Sequence, residues 1–240
     1  MHKPVSISMV KYLVLLCVVI TTALCSFSFY QKNNIPVVTI AAPVNGSAVT
    51  HGNAIAYKIE VTDKEDGTTK YEEIQSGEIF MKLKYVSSVK EINAYIQKEN
   101  QGEKVFVLMK QNNCFTCHSV HQKLSGPSFR DIALKYGAAA ATYEKLSEKI
   151  INGSRGVWND SQQMPAHPEL NKQQAIALAS LVIQYGNEKD FEMYTGAEGT
   201  IRSNKNMNKP VLLLIASYLD HGIELVDRKE GKSMVKVNLK

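Results

Sequence analysis

Between Ile35 and Val86 the apolar residues fall on alternate positions. Ile55, Tyr57, Ile59 and Val61 form one such series, and Ile79, Met81, Leu83 and Tyr85 another. A period of two predicts half-buried strands. Pro43-Val44-Asn45-Gly46 and Asp63-Lys64-Glu65-Asp66-Gly67 have the composition of turns between them. From Ser88 the period lengthens. Val89, Ile92 and Ile96 share a helical face, and Ser88 with Glu91 makes a capping box, so a short connecting helix is predicted over 89–100. From about Asn100 to Asn187 the pattern is helical. Phe129, Ile132, Ala133 and Tyr136 follow one face up to Gly137, and Tyr143, Leu146 and Ile150 another up to Asn152-Gly153. Asn171 and Gln174 cap a last helix carrying Ile176, Ala179, Ser180 and Ile183. Val105 to Met109 fits either a strand or a buried helix. After Phe191 strands return. Val211 to Tyr218 is a continuous apolar run suited to a central strand. Asp220-His221-Gly222 reads as a turn, and Val235, Val237 and Leu239 alternate again.

Two C-terminal strands alone are marginal in water. They are therefore expected to pair with the first zone in one β-sandwich, with the helices inserted between its strands. The expected class is α+β: strands over 35–88, the connecting helix over 89–100, a helical domain over 101–190, and strands completing the sandwich over 200–240.

Composition changes this picture little. The 240 residues are 44% apolar and 21% charged, which excludes bulk disorder, and a net charge of +5 without a dense basic block gives no nucleic-acid footprint. The N-terminus adds more. His2, Lys3 and Lys11 precede an apolar run from Tyr12 to Leu24, and no charge occurs between Lys11 and Lys32. Residues 1–30 thus read as a signal peptide, cleaved near Ala23-Leu24-Cys25, or as an uncleaved membrane anchor; lipidation at Cys25 is a third reading. Each places the rest of the chain outside the cytoplasm, in the periplasm or facing it.

Cys17 and Cys25 lie in that segment, so the remaining cysteines are Cys114 and Cys117. A loop so small makes a poor structural staple. They stand in Cys114-Phe115-Thr116-Cys117-His118. Thiols at this spacing can add to the two vinyl groups of one haem, with the adjacent histidine as proximal iron ligand. Four cysteines and six histidines in the whole chain make a chance match rare. A reactive dithiol or half of a zinc site are the rival readings, each without the expected surroundings. Met164, before Pro165, is a candidate distal ligand. His167 or an open position are the alternatives. The Pro127 carbonyl can accept the second ring proton of His118, although Gly126-Pro127 also reads as a helix start. Trp158 and Arg155 are candidate donors to the haem propionates, and Trp158 equally reads as a core aromatic. Asp63, Glu65 and Asp66 read as a solvated turn before a cation site.

Cys114 to His118, Gly126-Pro127-Ser128-Phe129, Gly153-Ser154-Arg155-Gly156-Val157-Trp158 and Met164-Pro165 together resemble a class I mono-haem cytochrome c over about 85 residues. The resemblance implies a small all-α fold around one covalently attached haem c, with Met164 as distal ligand. The segments Glu60 to Gly67 and Ala216 to Gly222 are similar to immunoglobulin-like or PKD-like strands of exported bacterial proteins. The reading is an exported single-electron carrier between redox partner proteins, an oxidoreductase or a terminal oxidase, with no substrate site expected. The alternatives are a five-coordinate haem that senses a gas or handles peroxide, and a surface-binding β-sandwich with an accessory haem.

Overall fold

The computed structural model describes residues 32–158, 163–223 and 227–240. The expected signal or anchor segment with Cys17 and Cys25, and the polar run Asn159 to Gln162, lie outside them. Among the described residues no helix is long and apolar enough to cross a membrane.

The first strands are β1 (Val37–Ala42), β2 (Ala48–Val49), β3 (Ala54–Asp63), β4 (Gly67–Thr68) and β5 (Ile79–Val86). Helices α1 (Val89–Gln111), α2 (Cys114–Cys117), α3 (Phe129–Tyr136) and α4 (Ala140–Asn152) follow. A two-stranded ribbon, β6 (Ser154–Arg155) and β7 (Gln163–Met164), leads to α5 (Lys172–Asn187). The chain ends in β8 (Phe191–Thr195), β9 (Glu198–Arg202), β10 (Val211–Leu219) and β11 (Glu230–Leu239).

These strands form two larger sheets. In one, β1, β4 and β9 all pair with β3. In the other the order is β2-β11-β10-β5-β8. Their inner faces share one apolar core: Ile55, Tyr57, Ile59 and Val61 of β3 meet Met81, Leu83 and Tyr85 of β5 and Leu212, Leu214 and Tyr218 of β10. The alternation along β3 is the period-two pattern made real, since one face packs inward and the other is wet. The turn after β3 closes on itself, because Asp63 Oδ1 accepts from the backbone N–H of both Glu65 and Asp66. Among the described residues no cluster of three or more acidic, His or Cys side chains is arranged to hold a metal ion.

β5 departs from the sequence expectation. Its alternation suggests one wet face, yet every residue from Ile79 to Val86 is buried. The second face, with Phe80, Lys82, Lys84 and Val86, is covered by helices. Lys82 pairs with Glu99 of α1 and donates to the Tyr185 hydroxyl of α5 at 2.9 Å. Lys84 reaches Glu188 at 2.9 Å and Asp190 at 2.6 Å. Buried ammonium groups persist only when paired in this way.

The helices enter from β5 and leave into β8, and these two strands are hydrogen-bonded neighbours, with Lys84 opposite Phe191. α1 is longer than the expected connecting helix. Ser88 caps it by accepting from the Glu91 N–H at 3.2 Å, and it continues past residue 100 to Gln111. Val105 to Met109 is therefore helical. The first half of α1 sets Ile92 and Tyr95 against Val86 and Leu213 of the sheet. The second half sends Phe106 and Met109 into a separate helical core with Phe129, Leu178 and Phe191.

α3 and α5 carry full capping boxes, Ser128 with Asp131 and Asn171 with Gln174. The two helices cross closely at Gly186, where an added Cβ would stand 2.2 Å from the Phe129 carbonyl oxygen. Gly186→Ala is expected to lower stability by about 1–3 kcal/mol despite the better helix propensity of alanine. Denaturant unfolding followed by circular dichroism checks this; an unchanged midpoint would contradict the close crossing.

Candidate functional site

The chain turns sharply after α1. Asn112 caps the helix by donating from Nδ2 to the Leu108 carbonyl at 2.8 Å. Asn113 then adopts φ 53°, a left-handed conformation that asparagine tolerates better than most residues. The next turn is α2. Residues three apart on a helix share a side, so Cys114 and Cys117 are presented together. Both are free thiols. Burial pushes the Cys114 thiol up to about 11. A reactive dithiol needs the opposite environment, so the dithiol reading loses its physical basis.

His118 leaves α2 in extended backbone and is held on several sides. Gly126 donates from its N–H to the Cys117 carbonyl at 2.7 Å, which folds the loop back. The Pro127 carbonyl lies 2.7 Å from His118 Nδ1. A carbonyl only accepts, so Nδ1 holds the proton and Nε2 keeps a free lone pair. Gly126 has to be glycine, since a Cβ there would meet His118 Cε1 at 2.6 Å. The Phe129 ring stacks on the imidazole at 6.0 Å and 27°. Burial holds the imidazole below its ordinary range, with the Pro127 hydrogen bond opposing. The result is a neutral imidazole with one nitrogen tied and one available. The loop is also fastened to the sheet, because His121 Nε2 lies 2.7 Å from the Phe191 carbonyl of β8.

His118, Cys114 and Cys117 line a cavity of about 690 Å³. Its walls are largely apolar, with Ile132, Leu146, Ile150 and Leu178 among them. Met164 lies in the same wall set, on the β6–β7 ribbon, where it pairs with Ser154. Gly153 takes φ 74°, and a Cβ there would stand 2.8 Å from the Met164 carbonyl oxygen. The His167 N–H donates to the Ile150 carbonyl at 3.1 Å. The Met164-Pro165 segment is thus pinned to the end of α4 on both sides.

The expected site residues mostly come together. Cys114, Cys117, His118, Pro127, Met164 and Trp158 all line the cavity. His167, the rival distal ligand, lines it too, with Nδ1 2.9 Å from Glu169. Trp158 is a rim residue rather than a core aromatic. It is 38% exposed, and the Lys135 ammonium sits 4.3 Å above its ring. Arg155 is exposed and is not among the residues that line the cavity, whereas its neighbour Ser154, paired with Met164, lines it. Polar lining residues that escaped the sequence reading include Lys149 in the last turn of α4 and Ser125 in the loop after His118. Neither belongs to a motif. A cation near the C-terminal end of a helix is also what the helix dipole alone favours, so Lys149 carries no separate signal.

The donor set fits a covalently held haem. Two thiols stand on one turn, a neutral imidazole with a free Nε2 follows them, and a soft thioether lines the same apolar cavity, whose size is that of a cofactor site.

Comparison with known proteins agrees. The family model for cytochrome c matches residues 101–184. Cytochrome c-552 of Nitrosomonas europaea is 47% identical over 74 residues, 30% of this chain and 67% of that protein. Cytochrome c-551 of Pseudomonas denitrificans is 36% identical over 83 residues, 34% of this chain and 94% of the relative. Cytochrome c-551 of Ectopseudomonas mendocina is 38% identical over 82 residues, with the same coverage of 34% and 94%. The site is that of a c-type haem protein, in which haem c is attached covalently and serves electron transfer. The chain belongs to the cytochrome c family. The matched range runs from the middle of α1 into α5, and the strands of both larger sheets lie outside it.

Proposed function

We propose that this protein is an exported single-haem cytochrome that carries electrons one at a time between redox partner proteins, an oxidoreductase and a terminal oxidase being the fitting classes. Cys114 and Cys117 would tether the porphyrin through thioethers. His118 and Met164 would hold the iron from its two sides. The observation that carries this reading is the pairing of a neutral His118, its Nδ1 proton tied to Pro127, with a pinned Met164 in one apolar cavity.

Bound haem supplies the one-electron change of its iron. The chain decides the rest. The Pro127 carbonyl fixes the imidazole orientation and keeps the lone pair on Nε2. A soft, neutral thioether favours the ferrous state and raises the potential. The apolar walls would limit water around the iron, and Trp158, Lys149 and Ser154, which line the cavity, would be donors to the propionates. The haem domain, residues 101–190, would be an insertion in an immunoglobulin-like or PKD-like sandwich built from 35–88 and 200–240. Two facing sheets with one shared core support that, as does the departure and return of the helices through neighbouring strands. The basic and apolar segment at residues 1–30 supports export to the periplasm or its membrane face, whether it is cleaved, kept as an anchor or lipidated at Cys25.

Optical spectra of the purified holoprotein test the proposal, taken oxidised, reduced, and reduced under carbon monoxide. The expected result is a covalent c-type spectrum, a sulfur-to-iron charge-transfer band when oxidised, and no change with carbon monoxide. Stoichiometric carbon monoxide binding by the native protein would instead establish the five-coordinate sensor or peroxide-handling alternative.

A further inference from the structure

Three buried lysines lie between the five-stranded sheet and the helices. Lys82 and Lys84 project from the sheet. Lys110 projects the other way, from the last turn of α1, and its ammonium crosses to the strands. It donates to Ser217 Oγ of β10 at 2.8 Å and to Glu230 Oε1 of β11 at 2.6 Å. The two charged side chains are only 4% and 3% exposed.

The position of this pair relative to the haem site is unusual. Lys110 Nζ stands 4.7 Å from the ring centroids of both Phe80 and Phe106. Both rings pack on Phe115, at 4.9 and 5.5 Å, and Phe115 lies inside the Cys114 to His118 turn. Met109, the residue before Lys110, lines the haem cavity. Between the ion pair and the cavity there are hydrocarbon and aromatic rings, a medium that screens charge poorly. On its other side Glu230 lines a shallow cleft with Asn100, Glu103 and Arg228. That cleft is the opening that lies beside the pair.

The charges facing Lys110 are few. Glu230 attracts it. Lys232 of β11 shares Glu230, reaching Oε2 at 3.1 Å, and also pairs with Glu103 of α1 at 3.0 Å. Lys82 of β5, paired with Glu99, repels it. Burial is the largest influence, and it brings the ammonium down to about 8 against the pull of Glu230.

We propose that Lys110 and Glu230 form a redox-linked proton site that tunes the haem. When a donor protein delivers one electron to the iron, the pair takes up part of one proton from bulk water through the Glu230 cleft. When an acceptor removes the electron, that proton returns to water. The inference rests on the electron-carrier reading above. The cause is reciprocal: an added negative charge in a poorly screening interior favours the charged form of Lys110, and charged Lys110 favours the reduced iron by the same amount. The sign follows. Burial brings the titration of Lys110 well below the ordinary lysine range, with the pull of Glu230 opposing, and on either side of that titration reduction of the iron changes no charge on the pair. Proton uptake, and a fall of potential with rising pH, belong to the window between.

The test is the midpoint potential of the full holoprotein against pH, with proton uptake on reduction followed by an indicator dye. The native protein is expected to lose potential as pH rises across a window around 8, and to take up protons there. Lys110→Met/Glu230→Leu, which leaves neither ion buried alone, is expected to give a flat curve and no uptake. Glu230→Gln, a milder change, is expected to move the window to lower pH. Lys58→Met, an exposed lysine paired with Glu60 on β3, serves as the control and keeps the native window. The sulfur-to-iron band, retained throughout, separates this effect from ligand exchange. Parallel curves for the native protein and both pair variants, with intact haem spectra, would overturn the proton site alone. A native preparation without covalent haem would overturn the electron-carrier reading and this inference with it.

Discussion

Exchanging Cys114 and Cys117 together for alanine is expected to yield a colourless chain whose strands fold and whose haem-side helices do not. The protein has two main cores. The strands close around Ile59, Val61, Leu83, Tyr85 and Leu214, none of which lines the haem cavity. The helical core includes Phe129, Ile132, Leu146, Leu178 and Ala179, which do line it. A haem lost from a cavity of about 690 Å³ removes the partner that those side chains pack against. α3 has 8 residues and α4 has 13, lengths that do not sustain a helix in water without packing. The first half of α1 should survive, because Ile92 and Tyr95 rest on Val86 and Leu213. Acid-acetone extraction reads the covalent link, and hydrogen exchange reads the folding. Fast exchange in α3 and α4 with protected amides in β3 and β10 is the expected pattern. Colour that stays with the precipitated variant, or equal protection in its helices, would contradict both the attachment and the division into two cores.

Replacing Met164 with alanine should open the iron without unfolding the chain. The ribbon that carries Met164 is held by its backbone, through the pairing with Ser154 and the close contact with Gly153, so losing the side chain leaves the loop in place. The reduced variant should bind carbon monoxide, and its potential should fall by on the order of 100 mV or more, within the ~0.8 V range that axial ligands control. His167→Ala is the comparison. That imidazole shares the cavity but is engaged by Glu169, and its removal should leave the potential unchanged. If Met164→Ala keeps the native potential and excludes carbon monoxide, Met164 is not on the iron.

Much of this architecture could be read from local pattern, and the exceptions have a common cause. The Cys114 to His118 turn and the Asn171–Gln174 cap are local features, and both stand in the structure as read. Val211 to Leu219 is a strand hydrogen-bonded on both sides, as a continuous apolar run implies. The second face of β5 is not legible locally, because Lys82 and Lys84 look like solvent residues until Glu99, Glu188 and Asp190 arrive from distant parts of the chain. The early end expected for the connecting helix failed for a similar reason. Asn100 and Gly102 are weak helix formers, but both flanks of α1 are anchored by packing, Ile92 and Tyr95 on the sheet, Phe106 and Met109 in the helical core. Which side of the chain Arg155 takes is not legible in the sequence, because it sits on a ribbon of two-residue strands too short to have a periodicity.

α1 is a single unbroken rod seated on the strands at one end and ending against the haem-bearing turn at the other. No swivel separates the two regions along it. Any turning of the haem-bearing loop against the five-stranded sheet would therefore have to bend this helix.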